Sequence, residues 1–384
     1  MAPTVLPPDA AAFQVDPNRL PKLPVQIGMV RHPGEHEHRY HHQPQITWHD
    51  GRFLAMWIDH PYLEDSPGQI VEYAVSDNGL IWSAPNVLAP AVELSGDGAQ
   101  PLGVRFSGGF WNRSHDLFAF SARYNKVDYN ADVIWPNIRT EIYAWDGRRW
   151  SKTAAEIDNF SGFEAPRLLA DGGYLCSGHD RTGKQIVMLK GGVEGLDDWK
   201  RILVPAPSDG HFLLEPNWWQ DRRGTIHVVI RDESNSHRLY YTASTDGGES
   251  FPAPVRSDIP DARSRVSTGT LRDGRAYLCG NSRIGADTVN PSESGSAHCV
   301  MAGFGQRIPL TLAVGSDTGR FEKVYAVRSD ATAPRWASSD SNNGFGAGYG
   351  YQYPNVCEHG GFLYIAHSVN KEDIAVARVA VCDL

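Results

Sequence analysis

A short motif that recurs along the chain restricts its possible folds more than any other feature. Each copy has an apolar strand, a turn that contains glycine, a second apolar strand and polar residues at both ends. Asp-Gly between such runs is a strong signal for a β-hairpin. Clear copies span 42–60, 164–181, 215–232, 265–281 and 353–367, and a looser copy spans 100–123. Their spacing of roughly 50–60 residues predicts an all-β chain folded as a β-propeller.

Six hairpins are clear, and residues 283–350 either hide a further blade or form a loop over one face. The run Val25–Val30 is expected to complete the last blade and close the ring. Residues 1–22 are predicted to form an N-terminal arm, and residues 23–384 a single propeller domain that carries the chemistry. The turns Ser76–Gly79, Ser244–Gly247 and Ser316–Gly319 resemble the Asp-boxes of sialidase-type propellers, which tie outer strands together.

Charge and composition narrow the classes of partner. The formal net charge of −9 argues against nucleic acid and an anionic membrane surface. No apolar run is long enough to span a membrane. No signal peptide is visible, although a secreted protein without its signal peptide, which we expect here, would look the same. Cys176 and Cys279 lie in apolar runs and are predicted to be buried free thiols.

Metal sites receive little support from the sequence. No cysteine pair has metal-ligand spacing. The histidines at 32, 36 and 38 lie in a charged segment, which favours a solvated loop over a metal site. No cofactor is therefore expected. No calcium-loop signature occurs, although a structural calcium ion in a propeller channel would leave little trace.

The polar residues of the hairpins concentrate at the open ends, away from the turns. If the first turn centres on Asp50 and Gly51, His41 faces His60 across the hairpin, whereas a slip of register puts His42 there. In a propeller the open ends share one face and converge on the axis, so a polar funnel is predicted. The other candidate residues at these ends are Arg123, Tyr124, Arg167, Arg181, Asn217, Trp218, Arg231, Arg265, Tyr351, Tyr353 and His367. A solvated or capping role is the alternative for any one of them, and core packing is the alternative for Trp218.

Three reactions on a sugar fit such a funnel. A glycosidase needs two carboxylates, which Glu164, Asp180 and Glu215 could supply. A sialidase needs three arginines, an Asp acid and a Tyr–Glu pair; arginines and Tyr351 or Tyr353 are available, but the first blade begins with histidines and not with an arginine. β-Elimination from a uronic acid needs arginine to neutralise the carboxylate and groups that titrate near neutrality, for which histidine is suited.

Several runs of the sequence resemble one group of propellers. They are Tyr40–Ile46, Trp57–Pro61, Pro67–Gln69, Ser76–Gly79, Glu215–Trp219 and Tyr351–Asn355. They are similar to glycoside hydrolase family 145 and to polysaccharide lyase family 42, the L-rhamnose-α-1,4-D-glucuronate lyases, and the resemblance covers most of residues 25–384. Propeller-type ulvan lyases also carry two catalytic histidines on the first hairpin, as His41 and His60 would be.

The resemblance implies a seven-bladed propeller, with six blades as the alternative. It implies an exo-acting lyase that removes terminal L-rhamnose from α-1,4-linked D-glucuronate in gum arabic-type arabinogalactan and leaves a 4,5-unsaturated glucuronate. His41, His42, His60, Arg123 and Tyr124 would be catalytic, and the remaining candidates would bind the substrate. The alternatives are an α-L-rhamnosidase of the family 145 type and a sugar-binding propeller without catalysis. The expected partner is an acidic oligosaccharide or polysaccharide, and the expected state is a monomer.

Overall fold

In a computed structural model of the protein, the regular structure is almost entirely antiparallel β-sheet. The structure describes residues 7–92, 103–125, 133–234, 236–281, 307–316, 320–330, 334–336 and 350–384. These residues form six sheets, which are the blades of a propeller. Three short 3-10 helices accompany them: Ala11–Phe13, Pro17–Arg19 and Val381–Asp383.

Strand β1 (Gln26–Arg31) belongs to the last blade, and the first three blades follow it in chain order. Blade 1 contains β2 (Tyr40–His49), β3 (Arg52–His60), β4 (Ile70–Ser76) and β5 (Asn86–Ala89). Blade 2 contains β6 (Gly103–Arg113), β7 (Asp116–Asn125), β8 (Arg139–Trp145) and β9 (Trp150–Asp158). Blade 3 contains β10 (Ser161–Gly162), β11 (Arg167–Leu168), β12 (Tyr174–His179), β13 (Ile186–Gly191) and β14 (Trp199–Val204).

The remaining strands complete the ring. Blade 4 contains β15 (Leu213–Gln220), β16 (Ile226–Asp232), β17 (Arg238–Ser244) and β18 (Val255–Pro260). Blade 5 contains β19 (Ser267–Thr270), β20 (Ala276–Gly280), β21 (Leu310–Gly315) and β22 (Phe321–Arg328). Blade 6 contains β23 (Tyr351–His359), β24 (Phe362–Val369) and β25 (Asp373–Ala380), with β1 paired to β25.

The blade count corrects the prediction of seven blades, since the described residues form six and the six-bladed alternative is the one observed. In the ambiguous segment 283–350, the described residues supply β21 and β22 to blade 5 and form no blade of their own. Residues 282–306 and 337–349 lie outside the described part of the chain. The long spacing before the last hairpin therefore reflects insertions around one blade.

Closure of the ring joins the two ends of the chain. Gly28 pairs with Val376 and Ile27 pairs with Ala377, which confirms the predicted role of the run Val25–Val30. A side chain at Gly28 would collide with the backbone of Leu80, because the ideal Cβ position lies 2.5 Å from the Leu80 carbonyl oxygen. Glycine at this position lets the closing strand lie directly against blade 1.

The core lies between neighbouring blades. Trp57, Trp111 and Trp219 are fully buried in three of these interfaces. Cys176 and Cys279 are buried and free, as predicted from their apolar surroundings. At the N-terminal end, the ring of Phe13 packs edge-on against Phe321 of blade 5. Among the described residues, no helix has the length and apolar character needed to cross a membrane.

Two of the three Asp-boxes are visible. The Ser76 hydroxyl accepts the Gly79 N–H at 2.9 Å, and the Ser244 hydroxyl accepts the Gly248 N–H at 2.8 Å. In the second box the Asp246 carboxylate also accepts the Glu249 N–H at 3.0 Å. These bonds fix the turns that follow the third strands of blades 1 and 4. Residues 317–319 of the third predicted box lie outside the described residues.

A β-bulge before a proline recurs on three innermost strands. The residues Gln43, Glu215 and Tyr353 each precede a proline and adopt positive φ values of 52°, 56° and 53°. The register of each strand shifts by one residue at this point. A bulge adds a residue to one strand and re-aims the side chains beside it. The same bulge before a proline therefore changes the direction of side chains on the innermost strands of blades 1, 4 and 6.

The bulge at Gln43 also corrects the predicted histidine pair. Below the bulge the hairpin has the expected register, with Gln45 opposite Met56, but above it His41 pairs with Asp59 and Tyr40 pairs with His60. His42 lies opposite Ile58. His41 and His60 are therefore not directly opposed. The turn-based calculation was wrong here because it assumed an unbroken ladder.

Candidate active site

The phenol of Tyr353 lies at the centre of a buried polar cluster contributed by several blades. Arg231 Nη1 donates hydrogen bonds to the Tyr353 hydroxyl at 2.7 Å and to Glu215 Oε2 at 2.8 Å. Glu215 is also hydrogen-bonded to Tyr353. Because a guanidinium can only donate, the Tyr353 oxygen accepts from Arg231 and its own proton is available to the Glu215 carboxylate. The bulges at Glu215 and Tyr353 bring these two side chains together across the ring.

Two further arginines lie near the ring of Tyr353. The guanidinium carbons of Arg265 and Arg307 are 4.9 and 5.7 Å from the ring centroid. Arg265 donates to the carbonyl oxygens of Phe163 at 2.8 Å and Pro44 at 3.4 Å. Within the described part of the chain, Arg265 forms no ion pair, although it is only 1% exposed. A buried cation that is met only by carbonyl groups favours the approach of an anion.

His42 lies against the Tyr353 ring. The two ring centroids are 4.2 Å apart. Nδ1 of His42 lies 2.7 Å from the Ser368 hydroxyl, and its Nε2 lies 3.8 Å from Glu64 Oε1. Glu64 forms a short ion pair with Lys371. The cluster therefore contains a second carboxylate, Glu64, which acts on Tyr353 together with Glu215.

The pKa values of these groups follow from burial and charge. Burial raises the pKa of Tyr353 well above its ordinary value, against the opposing effect of Arg231, so the phenol is protonated at neutral pH. Burial disfavours the Glu215 carboxylate, but Arg231, Tyr353 and Arg265 hold its pKa below the ordinary value. Burial and the nearby cations lower the pKa of His42 well below its ordinary value. The cluster thus contains a neutral phenol, an ionised carboxylate that can take its proton, and a neutral imidazole.

His41 and His60, two predicted catalytic residues, have other contacts. His41 is buried between the Asp59 carboxylate, 2.8 Å from its Nε2, and the Glu372 carbonyl oxygen, 3.0 Å from its Nδ1. His60 Nδ1 accepts the backbone N–H groups of Tyr62 and Leu63 at 3.2 and 2.9 Å. The imidazole of His60 therefore caps the turn that follows β3.

His41 also belongs to the group that comes nearest to a metal site among the described residues. His41, Asp59 and Glu72 each offer one ligand atom within 4.8 Å of the others. Burial and the charge of Asp59 raise the pKa of Glu72 to about 7. However, Arg31 Nε lies 3.2 Å from His41 Nε2. A guanidinium at the nitrogen that would have to bind the metal disfavours a cation there.

Arg123 and Tyr124 lie in blade 2, in contacts apart from the Tyr353 cluster. Arg123 Nε donates to Glu141 Oε1 at 2.6 Å. Tyr124 is buried, with its ring stacked on Phe106 at 5.4 Å. Arg105 and Lys152 also bind Glu141, each at 2.8 Å. This group of Arg105, Arg123, Glu141 and Lys152 is named the Glu141 cluster below.

The Glu141 cluster predicts a pH-dependent stability. Although burial favours the protonated acid, Arg105, Lys152 and Arg123 lower the pKa of Glu141 from 4.5 to about 2. A pKa depressed by folding contributes stability that is fully present above the unfolded value and is lost as the pH falls from 4.5 towards 2. The expected contribution is about 3 kcal/mol.

The measurement is the free energy of unfolding in urea at about pH 6 and about pH 3. Glu141→Gln should show a smaller decrease between the two pH values than the wild type, by about 2 kcal/mol, because at about pH 3 the folded-state pKa of about 2 still retains the rest of the contribution. Asp158→Asn is the control, since the side chain of Asp158 is 82% exposed. Equal pH dependence in wild type and Glu141→Gln would show that Glu141 has no depressed pKa.

The other predicted substrate-binding residues fall into four places. Arg231, Arg265 and Tyr353 lie in the central cluster. Arg167 stacks on Trp218 at 4.3 Å, and Asn217 Oδ1 accepts the Thr268 N–H at 2.9 Å, so this group joins blades 3, 4 and 5. The remaining three are Arg181, which is exposed, and Tyr351 and His367, which are buried against Arg328.

Sequence reasoning did not select Arg307, Lys371 and Glu64, and named Glu215 only as a possible glycosidase carboxylate. Lys371 follows β24 at the open end of its hairpin, so the rule that selected His367 could have found it. Arg307 and Glu64 lie outside any hairpin, in segments with no periodic pattern. Nothing in the sequence placed these two beside Tyr353.

The fold is that of a sialidase-like β-propeller, and a Tyr–Glu–Arg cluster lies buried within it. The sequence matches the model of the BNR repeat-like domain over residues 51–365, and the chain belongs to this family. No curated protein matches the sequence. Neither this family nor the structural neighbours point to the rhamnose–glucuronate lyases or to family 145.

Three solved structures illustrate the likeness of fold. A protein of unknown function from Dyadobacter fermentans has a TM-score of 0.66 at 12% identity, over 92% of this chain and 98% of that one. A Hadza microbial sialidase has a TM-score of 0.67 at 10% identity, over 93% and 68%. An intramolecular trans-sialidase from Ruminococcus gnavus has a TM-score of 0.62 at 11% identity, over 93% and 98%. At these identities the likeness shows the fold alone.

Proposed function

We propose that the protein is a glycoside hydrolase that cleaves the bond to a carboxylated sugar, with Tyr353 as its nucleophile. The observation that carries the proposal is the position of the Tyr353 hydroxyl between the Arg231 guanidinium and the Glu215 carboxylate. Tyrosine is the nucleophile of one exceptional class of glycosidases, the sialidases. The names of several structural neighbours agree with such a chemistry.

The proposed reaction assigns one proton transfer to each carboxylate. As the Tyr353 oxygen attacks the anomeric carbon, its proton passes to Glu215, and the departing oxygen takes a proton from water, since Glu64 is paired with Lys371 as a carboxylate. Water then displaces Tyr353 from the sugar, with Glu64 as base, and Glu215 returns its proton to the phenol. Two displacements at one carbon retain its configuration.

The arginines account for the choice of a carboxylated sugar. Arg231 is balanced by Glu215 and by Glu233, whereas Arg265 has only carbonyl partners among the described residues. Arg265 and Arg307 flank the Tyr353 ring, and guanidinium groups bind carboxylates through paired hydrogen bonds. A neutral sugar would offer Arg265 no ion-pair partner, whereas a carboxylate would add to the through-space effect of Glu215 and Glu164 on its charge.

A lyase is the second candidate, and the neutral imidazole of His42 beside Tyr353 favours it. In that reaction the arginines hold the uronate carboxylate, and Tyr353 or His42 transfers the C5 proton. His41 and His60 are not directly opposed, so they do not form the predicted catalytic pair. Removal of L-rhamnose from glucuronate therefore remains a proposal with Tyr353 or His42, and not His41 and His60, as the proton-transfer group. Neither proposed reaction requires a cofactor. Secretion of the protein and a monomeric state remain expectations.

The deciding experiment compares products. Aryl glycosides of glucuronic acid and of N-acetylneuraminic acid, with the aryl glucoside as neutral control, are incubated with the protein, and the rhamnose–glucuronate disaccharide is tested in parallel. The hydrolase predicts release of the carboxylated sugar from its aryl glycoside, with its anomeric configuration retained in the proton NMR spectrum, and no unsaturated product from the disaccharide. Formation of an unsaturated, ultraviolet-absorbing uronate from the disaccharide, in an amount equal to the rhamnose released, would establish the lyase. Equal cleavage of the glucoside, or cleavage of none of these substrates, would contradict both candidates.

A further inference from the structure

A second polar cavity lies between blades 1 and 2, at the Glu141 cluster. Its volume is about 730 Å³, within the range of small-molecule sites in proteins. Its polar wall consists of Arg105, Arg123, Glu141 and Lys152. Within the part of the chain that the structure describes, no hydrogen bond or ion pair joins this cavity to the Tyr353 cluster.

The charges in this wall do not cancel. Three cations face one carboxylate in the wall, and Glu156, outside the wall, pairs with Lys152 at 2.6 Å, so an excess of positive charge remains although the whole chain carries a net charge of −9. The Glu141 carboxylate stays ionised because its pKa is low, and it binds all three cations and the Tyr143 hydroxyl. The excess positive charge therefore lies in a local pocket on an otherwise acidic protein, which attracts anions.

The arginines retain donors for a ligand. Arg123 binds Glu141 through Nε, and among the described residues its two terminal amino groups have no protein partner. Arg105 is 5% exposed and is held by Glu141 and by the carbonyl oxygen of Pro90, so it lies in a fixed position across the two blades. A pair of terminal N–H groups is the arrangement that binds a carboxylate in two-point fashion.

The rest of the wall is apolar and aromatic. Leu88, Val92, Tyr143 and Trp150 line the cavity beside the cations. Aromatic side chains have an apolar face on which the C–H face of a sugar ring can lie, and a polar edge for hydrogen bonds. A small inorganic anion would use the charge but not this surface.

We infer that this cavity is a second binding site for a carboxylated sugar unit, with Arg123 and Lys152 as its accessible cations. The site holds an acidic polysaccharide at a distance from the Tyr353 cluster. That role for the polymer rests on the proposed function, whereas binding of the sugar at the cavity does not.

The test is calorimetric binding of short oligogalacturonates and of the same oligomers after reduction of their carboxyl groups. Replacement of both Arg123 and Lys152 by glutamine should weaken binding of the acidic oligomers by about tenfold, because charge-assisted hydrogen bonds are lost. The matched control replaces Arg148 and Arg149 by glutamine. Both are exposed and lie in the same blade outside the cavity, so binding should be unchanged.

Three outcomes would overturn the inference: unchanged binding by the Arg123 and Lys152 variant, equally tight binding of the reduced oligomers, or displacement of the oligomers by sodium sulfate at a comparable concentration. The last would identify a site for any small anion. Thermal unfolding of both variants checks that the fold is retained, and Lys152→Gln alone, at a side chain that is 42% exposed, repeats the test with little risk to the fold. Binding is measured without turnover, so failure of the proposed function would leave this result standing.

Discussion

Replacement of Tyr353 by phenylalanine is expected to lower kcat for a carboxylated glycoside by at least about a thousandfold, since the nucleophilic oxygen is removed. The ring itself should remain in place between His42, Arg265 and Arg307. Substrate affinity should therefore change little, because the arginines that hold the carboxylate remain. The measurement is steady-state kinetics together with direct binding of the substrate to the variant.

The control for Tyr353→Phe is Tyr73→Phe. Tyr73 is a buried tyrosine in the outer part of blade 1, and among the described residues its hydroxyl makes only a 3.5 Å contact with the Arg148 carbonyl oxygen. This variant should turn over substrate at the rate of the wild type. If Tyr353→Phe also retained full turnover, Tyr353 would be neither nucleophile nor proton-transfer group. The hydrolase would then have to be abandoned, and only a lyase with His42 as base would remain.

Replacement of Arg231 by methionine is expected to destabilise the fold by about 3–5 kcal/mol, because it leaves a buried carboxylate without its cation. Glu215 is 5% exposed, and Arg231 Nη1 bonds it at 2.8 Å. Glu233 is less affected, since Arg263 also pairs with it, at 2.5 Å. The variant should also lose turnover, because the Tyr353 oxygen loses its donor. Urea unfolding and steady-state kinetics measure the two effects.

A second variant separates the lost charge pair from a simple loss of packing. Adding Glu215→Gln to Arg231→Met removes the unpaired carboxylate, so the double variant should be more stable than Arg231→Met alone. Turnover should not return, because the amide that replaces the Glu215 carboxylate cannot accept the phenol proton. Equal stability of the single and double variants would show that the Glu215–Arg231 pair does not govern stability at this site.

Local patterns in the sequence account for the hairpins and the outer turns. Alternation of apolar residues, Asp-Gly turns and the Ser–Asp–Gly boxes are encoded within a few residues, so they need no knowledge of distant contacts. The concentration of polar residues at the open ends of the hairpins is also visible in the sequence. It led to the prediction of Arg231, Arg265 and Tyr353 as site residues. The closing strand near Gly28 was also predictable, because a ring needs a partner for its last blade.

The register at the open ends was not predictable from the turn. The bulge at Gln43 lies several residues from Asp50 and Gly51, and its extra residue moves His41 from His60 to Asp59. The predicted seventh blade has a different origin: the hairpins in the sequence number six, as in the structure, and seven blades were implied only by the resemblance to the lyase family. At the open ends, by contrast, a local pattern was extended across a point at which the backbone departs from it.

The repeat by itself determined that the chain is a propeller with its polar residues at one end of each hairpin. Only the tertiary structure decided which of these residues meet. Glu215 and Tyr353 are 138 positions apart by their numbering, and their contact depends on two bulges and on closure of the ring. Arg123 obeys the same hairpin rule, yet it lies at Glu141, because its side chain projects between two blades and not into the Tyr353 cluster. The periodic pattern specifies the strand on which a side chain lies and the end of that strand. The packing of the blades specifies which residues it contacts.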